Sequence, residues 1–224
     1  MKNSLKDMGE GIGGACLMAA AIITPFLRFR RLTWGATKEE VKEVLPGDDL
    51  ILAPKWQYTN SITIHATPED VWPWLVQIGQ GRGGFYSYQA LENLVGCKIY
   101  NADKITPEFQ QLQAGDTMYL ASQVPFPVVL VEPGHTIVLY FDSRKGIPQK
   151  PGTRPMSPFA SSWLFFLKNT GDKTTRLISR FRIGYIPSAG NNIAYGYLTE
   201  AIATTMQKKM LKGIKQRAES AARL

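Results

Sequence analysis

One stretch constrains the fold more than any other: residues 58–94, YTNSITIHATPEDVWPWLVQIGQGRGGFYSYQALENL. Ile62 and Ile64 alternate with Ser61, Thr63 and His65, the period of two of a half-buried strand. A helix boundary follows. Thr67 stands where an N-cap belongs, Pro68 takes the first helical position, and Glu69 and Asp70 put negative charge on the first turn. Val71, Trp72, Trp74, Leu75 and Ile78 make that helix largely apolar. Gly79, Gly81, Gly83 and Gly84 then break the chain, and a second short helix follows through Tyr88, Leu91, Glu92 and Leu94.

The glycines spell a false signal. Gly79, Gly81 and Gly84 match G-x-G-x-x-G, and Asp103 lies about 20 residues on, where a ribose-binding acid would sit. That fingerprint must follow a strand, and here a capped helix precedes it. No alternating strand–helix series continues downstream. The dinucleotide reading is therefore set aside, and no cofactor is called for.

The remaining chain reads as an antiparallel sheet closed by a helix. Strands are expected at 116–121, 124–131 and 136–142, with turns at Gly115-Asp116 and Pro133-Gly134. Residues 143–160 are rich in Pro, Gly, Ser and basic side chains and read as a long loop inside the domain. A hairpin follows at 161–168 and 174–183 across Asn169-Thr170-Gly171-Asp172. In its second strand Arg176, Ile178, Arg180 and Arg182 share one face, expected to be solvated. The closing helix, about 192–221, carries Leu198, Ile202, Met206, Met210 and Ile214 every four residues as one apolar stripe. Upstream, Thr37 and Glu40 form a capping box and Leu45-Pro46-Gly47-Asp48 a turn. That lead-in is expected to close one end of the sheet.

Residues 11–27, GIGGACLMAAAIITPFL, carry no charge, and Arg28, Arg30 and Arg31 follow. The run sits at the lower limit for a spanning helix. The basic cluster would hold such a helix with its C-terminal side in the cytoplasm, placing the domain on the cytoplasmic face of a membrane. A cleaved signal peptide around Ala19 and Ala21, and a helix packed on the domain, are the other two readings. Residues 1–33 are thus set apart from a domain at 34–224. The net charge of +8 permits an acidic partner but does not choose one. Lys208, Lys209, Lys212 and Lys215 would suit anionic headgroups. No nucleic-acid motif accompanies the charge, so no nucleic-acid partner is expected. Cys16 and Cys97 read as free thiols, and with only two histidines no metal site is expected.

Several motifs together resemble the SRPBCC superfamily, the START/Bet v 1-like helix-grip proteins, and more closely its bacterial polyketide cyclase/dehydrase-like subgroup. They are Trp34-Gly35-Ala36-Thr37, Val71-Trp72-Pro73-Trp74, Gln77-Ile78-Gly79, Arg82-Gly83-Gly84-Phe85-Tyr86-Ser87 and the strand around Arg176 to Arg182. The resemblance implies an α+β helix-grip fold. In it a curved antiparallel sheet wraps a long C-terminal helix, and two short helices follow the first strand. Here an N-terminal apolar helix would be added. It also implies a cavity between sheet and helix.

Candidate liners of that cavity are Trp72, Trp74, Phe85, Tyr86, Tyr88, Tyr140, Trp163 and Phe165, with Met206 and Met210 from the helix. Each alone could equally fill an ordinary core. The polar groups to watch are Arg82, Tyr86, Asp103, Arg176, Arg180 and Arg182. Neither His65 nor His135 has a carboxylate or nucleophile at a diagnostic spacing, and no nucleophile elbow or P-loop occurs. Two functions stay open. One is a non-enzymatic carrier or sensor for a small apolar or lipid-like molecule. The other is a cyclase or dehydratase acting on a polyketide-like substrate, with Tyr86, Arg82 and Asp103 placing the substrate and moving protons. Fold alone does not choose between them.

Overall fold

The computed structural model describes residues 2–121, 124–146 and 157–223. Helix α1 (Lys2–Ile23) leads through a 3-10 turn (Pro25–Leu27) into α2 (Arg28–Leu32) and then α3 (Lys38–Lys42). Strand β1 (Trp56–Ile64), α4 (Pro68–Val76) and α5 (Gln89–Leu94) form the organising unit. After them come β2 (Thr117–Ala121), β3 (Val124–Glu132), β4 (Thr136–Asp142), the short α6 (Ser143–Gly146), β5 (Phe159–Asn169) and β6 (Thr175–Tyr185). The chain closes with α7 (Ala189–Ile193), a π-helical turn (Ala194–Leu198) and α8 (Thr199–Ala221). The greater part of the expected 143–160 loop lies outside the described residues.

The six strands form one curved, open antiparallel sheet in the order β1-β6-β5-β4-β3-β2, and α8 lies against β1 and α4. This is the α+β helix-grip architecture expected from the sequence. Both capping boxes form: Thr37 Oγ1 accepts from the Glu40 amide, and Thr67 Oγ1 from the Asp70 amide. Strand alternation sorts side chains to the two faces. Ile137, Leu139, Phe141, Trp163, Phe165, Leu167 and Leu177 face α4 and α8 in the main core, with Met210, Leu211 and Ile214 of α8. Val138, Leu164, Phe166 and Ile178 face the other way and pack under Leu45.

That second face differs from expectation. The Arg176, Arg180 and Arg182 face is not solvated, because the lead-in at 38–51 lies across it. Arg176 Nε donates to Glu40 Oε1 at 2.7 Å, Arg180 Nη1 meets Asp48 Oδ2 at 2.6 Å, and Arg182 Nη1 meets Asp48 Oδ1 at 2.7 Å. Arg180 is buried and also donates to the carbonyls of Glu40 and Glu43, each at 2.7 Å, and to Thr59 Oγ1 at 3.0 Å. A short helix leaves its last carbonyls without intrahelical partners, and Arg180 satisfies those of α3.

The N-terminal segment differs too. Among the described residues no single helix is long and apolar enough to cross a membrane; the one candidate there is a pair bent by 97°, 7–23 and 25–32. Pro25 cannot donate to the turn before it, so the helix stops at Ile23. The single N-terminal spanning helix is therefore corrected to a helix packed on the domain. α1 lies against α5 and α8. Gly14 permits this, because a Cβ there would stand 2.8 Å from the Tyr88 ring. Lys209 pairs with Glu10 at 2.8 Å, and Arg28 with Glu200 at 2.6 Å. The closing lysines are likewise used within the fold. Lys215 pairs with Glu219 at 2.6 Å, while Lys208 and Lys212 sit over the Trp34 ring.

Candidate functional site: an apolar cavity under α1

Between the inner face of the sheet, α5 and α8 lies a cavity of about 510 Å³. Toward the N-terminal end of α8 the helix still meets the sheet on one side, where Ala203 packs against Trp56, Tyr58 and Ile183, while Thr199, Ile202 and Met206 line the open space. Tyr58, Trp163 and Phe181 wall it from β1, β5 and β6. Phe85, Leu91 and Ile99 wall it from the organising unit, Met206 and Met210 from α8, and Met18 of α1 reaches in from above. The aromatic wall is locked: Phe181 stacks on Tyr58 with ring centroids 5.6 Å apart, and Trp163 Nε1 donates to Ser179 Oγ at 3.0 Å. The mouth is marked by lining residues that remain solvent-exposed: Leu94 (82%), Val95 (76%) and Ile202 (43%). So the α8 stripe expected from the sequence is buried at Met210 and Ile214, and opens to solvent at Ile202 and Leu198.

Polar groups are few, and two are left open. Tyr58 Oη donates to Gln207 Oε1 at 2.9 Å, leaving buried Gln207 Nε2 without a partner. Glu92 is only 4% exposed, and neither of its carboxyl oxygens has a hydrogen-bond partner. Burial alone pushes its pKa up from 4.5 to about 7. Burial, and then the nearby Glu92 carboxylate, also push the Cys97 thiol up, so Cys97 is not an activated nucleophile. Among the described residues no group of three or more His, Cys, Asp or Glu could hold a metal ion.

Of the residues singled out in the sequence, Phe85, Trp163, Met206 and Met210 lie on the cavity wall. The others lie elsewhere, for readable reasons. Phe165 is fully buried in the core beside Trp163, their ring centroids 4.8 Å apart. Trp74 is buried edge-on to Tyr86 at 6.0 Å, and Trp72 packs partly buried on the same core. Tyr140 follows the alternation of β4 onto the face of Val138, away from the cavity. Tyr88 lies under α1, with Lys209 5.8 Å from its ring centre. Arg180 belongs to the opposite face of the sheet.

The three residues cast as a catalytic set serve the scaffold. Arg82 Nη2 donates to the carbonyls of Val76 and Phe109, each at 2.9 Å, and pairs with neither Glu92 nor Asp103. Tyr86 Oη accepts from Gln77 Nε2 at 2.9 Å, and burial raises its pKa to about 12. Asp103 is on the surface, its side chain 90% exposed and held by Arg217 Nη2 at 3.0 Å. The glycine stretch is a fixed turn rather than a hinge. Gly79 pairs with Gly84 across it, and Gly84 has φ +75° with space for no Cβ beside Asn101.

Glu92 escaped the sequence reading as a cavity group, though a signal existed. Tyr88 lies four positions before it and Val95 three after, which puts Glu92 on the same face of α5 as these apolar side chains.

No protein-family model matches the chain, and no curated protein does. Among solved structures it is similar to protein MLL2253 from Mesorhizobium loti, with 16% identity, 74% of this chain and 98% of that chain covered, and a TM-score of 0.42. A conserved protein from Geobacillus kaustophilus gives 15% identity, coverages of 74% and 97%, and a TM-score of 0.39. CalU16 from Micromonospora echinospora gives 13% identity, coverages of 75% and 87%, and a TM-score of 0.33. Likenesses at this level leave fold and function to be argued from the chain itself.

Proposed function

We propose that the domain binds a small, largely apolar molecule in the cavity under α1, as a carrier or sensor. The observation that carries this reading is the cavity of about 510 Å³, walled by aromatic and aliphatic side chains. That volume falls within the roughly 300–1,000 Å³ usual for small-molecule sites. Ala203 lines the cavity from α8, so an indole placed there fills it. Wild-type protein is expected to take up pyrene with enhanced emission, and Ala203→Trp protein with unchanged far-UV circular dichroism to lose that uptake. Equal uptake by both proteins would show that pyrene sits elsewhere, and the reading would fall.

The enzymatic alternative keeps one specific support. Glu92, with a pKa near 7 in an apolar wall, has the protonation balance of a general acid–base. A cyclisation or dehydration also needs a second group to bind or polarise the substrate. Arg82, Tyr86 and Asp103 are engaged away from the cavity, so Glu92 shares the wall with Gln207, Tyr58, Ser87, Thr199 and Cys97 as the other polar groups. The carrier reading uses the wall as it stands.

We further propose that the domain loads at a bilayer surface, with α1 lying in the plane of the interface rather than spanning it. Supporting this, the elements framing the mouth expose Leu17, Ile23, Leu94, Val95 and Ile202, and Phe26 and Phe29 flank exposed Arg28 and Arg30. The protein should cosediment with vesicles containing phosphatidylglycerol, and Leu94→Asp/Val95→Asp should weaken that binding. Protein that stays in the supernatant would leave the cavity reading without its membrane.

A further inference from the structure

The cavity wall is mostly apolar, and two of its few polar side chains, Glu92 and Gln207, have polar atoms buried without partners. Glu92 is the more demanding of the two. A buried carboxyl that accepts no hydrogen bond costs stability whether it is ionised or neutral. A buried position that served only to pack would hold an apolar residue such as leucine. Nothing in the fold offsets that cost. The side chains that α1 and α8 turn into the cavity carry no charge. The titratable groups facing it from elsewhere are Tyr58 of β1, whose hydroxyl is committed to Gln207, and the Cys97 thiol. The Gln207 amide is likewise half used. Turning it over would leave its oxygen open in place of its nitrogen, so one end stays free in either orientation.

We propose that the Glu92 carboxyl is a recognition group: it accepts a hydrogen bond from a hydroxyl or amine on an otherwise apolar ligand, with the free end of the Gln207 amide as second polar contact. This rests on the cavity reading above and narrows it. The ligand class becomes apolar molecules that bury a donor-bearing head inside the protein; above about pH 7, where the carboxylate can only accept, plain hydrocarbons, ethers and esters leave it unpaired. The physical reason is a difference in what each ligand supplies. A ligand with a donor satisfies the orphaned carboxyl, whereas one without it leaves the carboxyl as unpaired as it is in the free protein.

The test uses two isomers of equal size, 1-dodecanol and 1-methoxyundecane, as competitors for bound pyrene. At about pH 8, where Glu92 is ionised, dodecanol should displace pyrene from the wild type at roughly tenfold lower concentration, the order expected for one hydrogen bond to a buried acceptor. Glu92→Gln keeps an acceptor and should keep part of that preference. Glu92→Leu should bring the two competitors to parity, read as the ratio of their half-displacement concentrations so that any change in pyrene affinity cancels. Pyrene uptake with equal displacement by both isomers in the wild type overturns this proposal alone. A preference that persists in Glu92→Leu also overturns it, because the donor is then met elsewhere. Failure of the wild type to bind pyrene brings down the cavity reading and this proposal with it.

Discussion

Arg180→Ala is expected to lower the melting temperature by roughly 6–20 °C. The range follows from a loss of about 3–5 kcal/mol for breaking a buried, hydrogen-bonded charge, at about 2–4 °C per kcal/mol for a chain of this size. Arg180 Nη1 meets Asp48 at 2.6 Å, and its other donors reach the Glu40 and Glu43 carbonyls and Thr59. With the guanidinium gone, those carbonyls face the sheet without donors, and the lead-in loses its central fastener. Asp48 keeps Arg182 at 2.7 Å, so the damage falls on α3 more than on the turn at 45–48. Arg176→Ala, at the more open end of the same face, should cost less. Because these residues lie behind the sheet, pyrene uptake below the melting temperature should match wild type. A thermal scan placing Arg180→Ala within about 2 °C of wild type would mean the lead-in holds by its apolar contacts alone.

The second large effect is on the pH dependence of stability. Glu92 has its pKa raised by burial from 4.5 to about 7. Between those values the folded state holds a proton that the unfolded state has released. Stability must therefore fall as pH rises through this window, and the loss is complete above about 7. Its size is on the order of 3 kcal/mol. Glu92→Leu removes the titrating group. Its melting temperature should exceed wild type at about pH 8, and the gap should narrow as pH falls toward 4.5, leaving only the smaller cost of the unpaired neutral carboxyl. Parallel melting curves across that range would show that Glu92 is solvated in the folded protein, and the wall would not be as dry as its neighbours imply. A gain in stability on removing a charged side chain is the mark of a residue kept for something other than folding.

Secondary structure was largely legible because local rules decide it. The caps at Thr37 and Thr67 need only a hydroxyl and an acid three residues later, and both formed. The alternation in β4, β5 and β6 and the four-residue spacing in α8 fixed which side chains share a face. The helix-grip arrangement followed, since an antiparallel sheet with an apolar face and one long amphipathic helix leave few other ways to bury both.

What the sequence left undecided depends on which surfaces meet. Strand alternation puts Arg176, Arg180 and Arg182 together, but only the lead-in folded across them turns a face that reads as solvated into a buried ion-pair seat. Residues 11–27 have the composition of a marginal span, and composition cannot show that Gly14 clears room for the Tyr88 ring so that α1 packs on α5. Aromatic content predicts a core or a cavity equally well. Phe165 is fully buried and Trp163 lines the cavity, an assignment made by what the assembled helices and sheet leave between them rather than by residue type. Glu92 is the clearest case. Its place on the apolar face of α5 could be read from spacing, whereas its lack of any partner is a property of the assembled wall, where distant segments come together and none brings a donor.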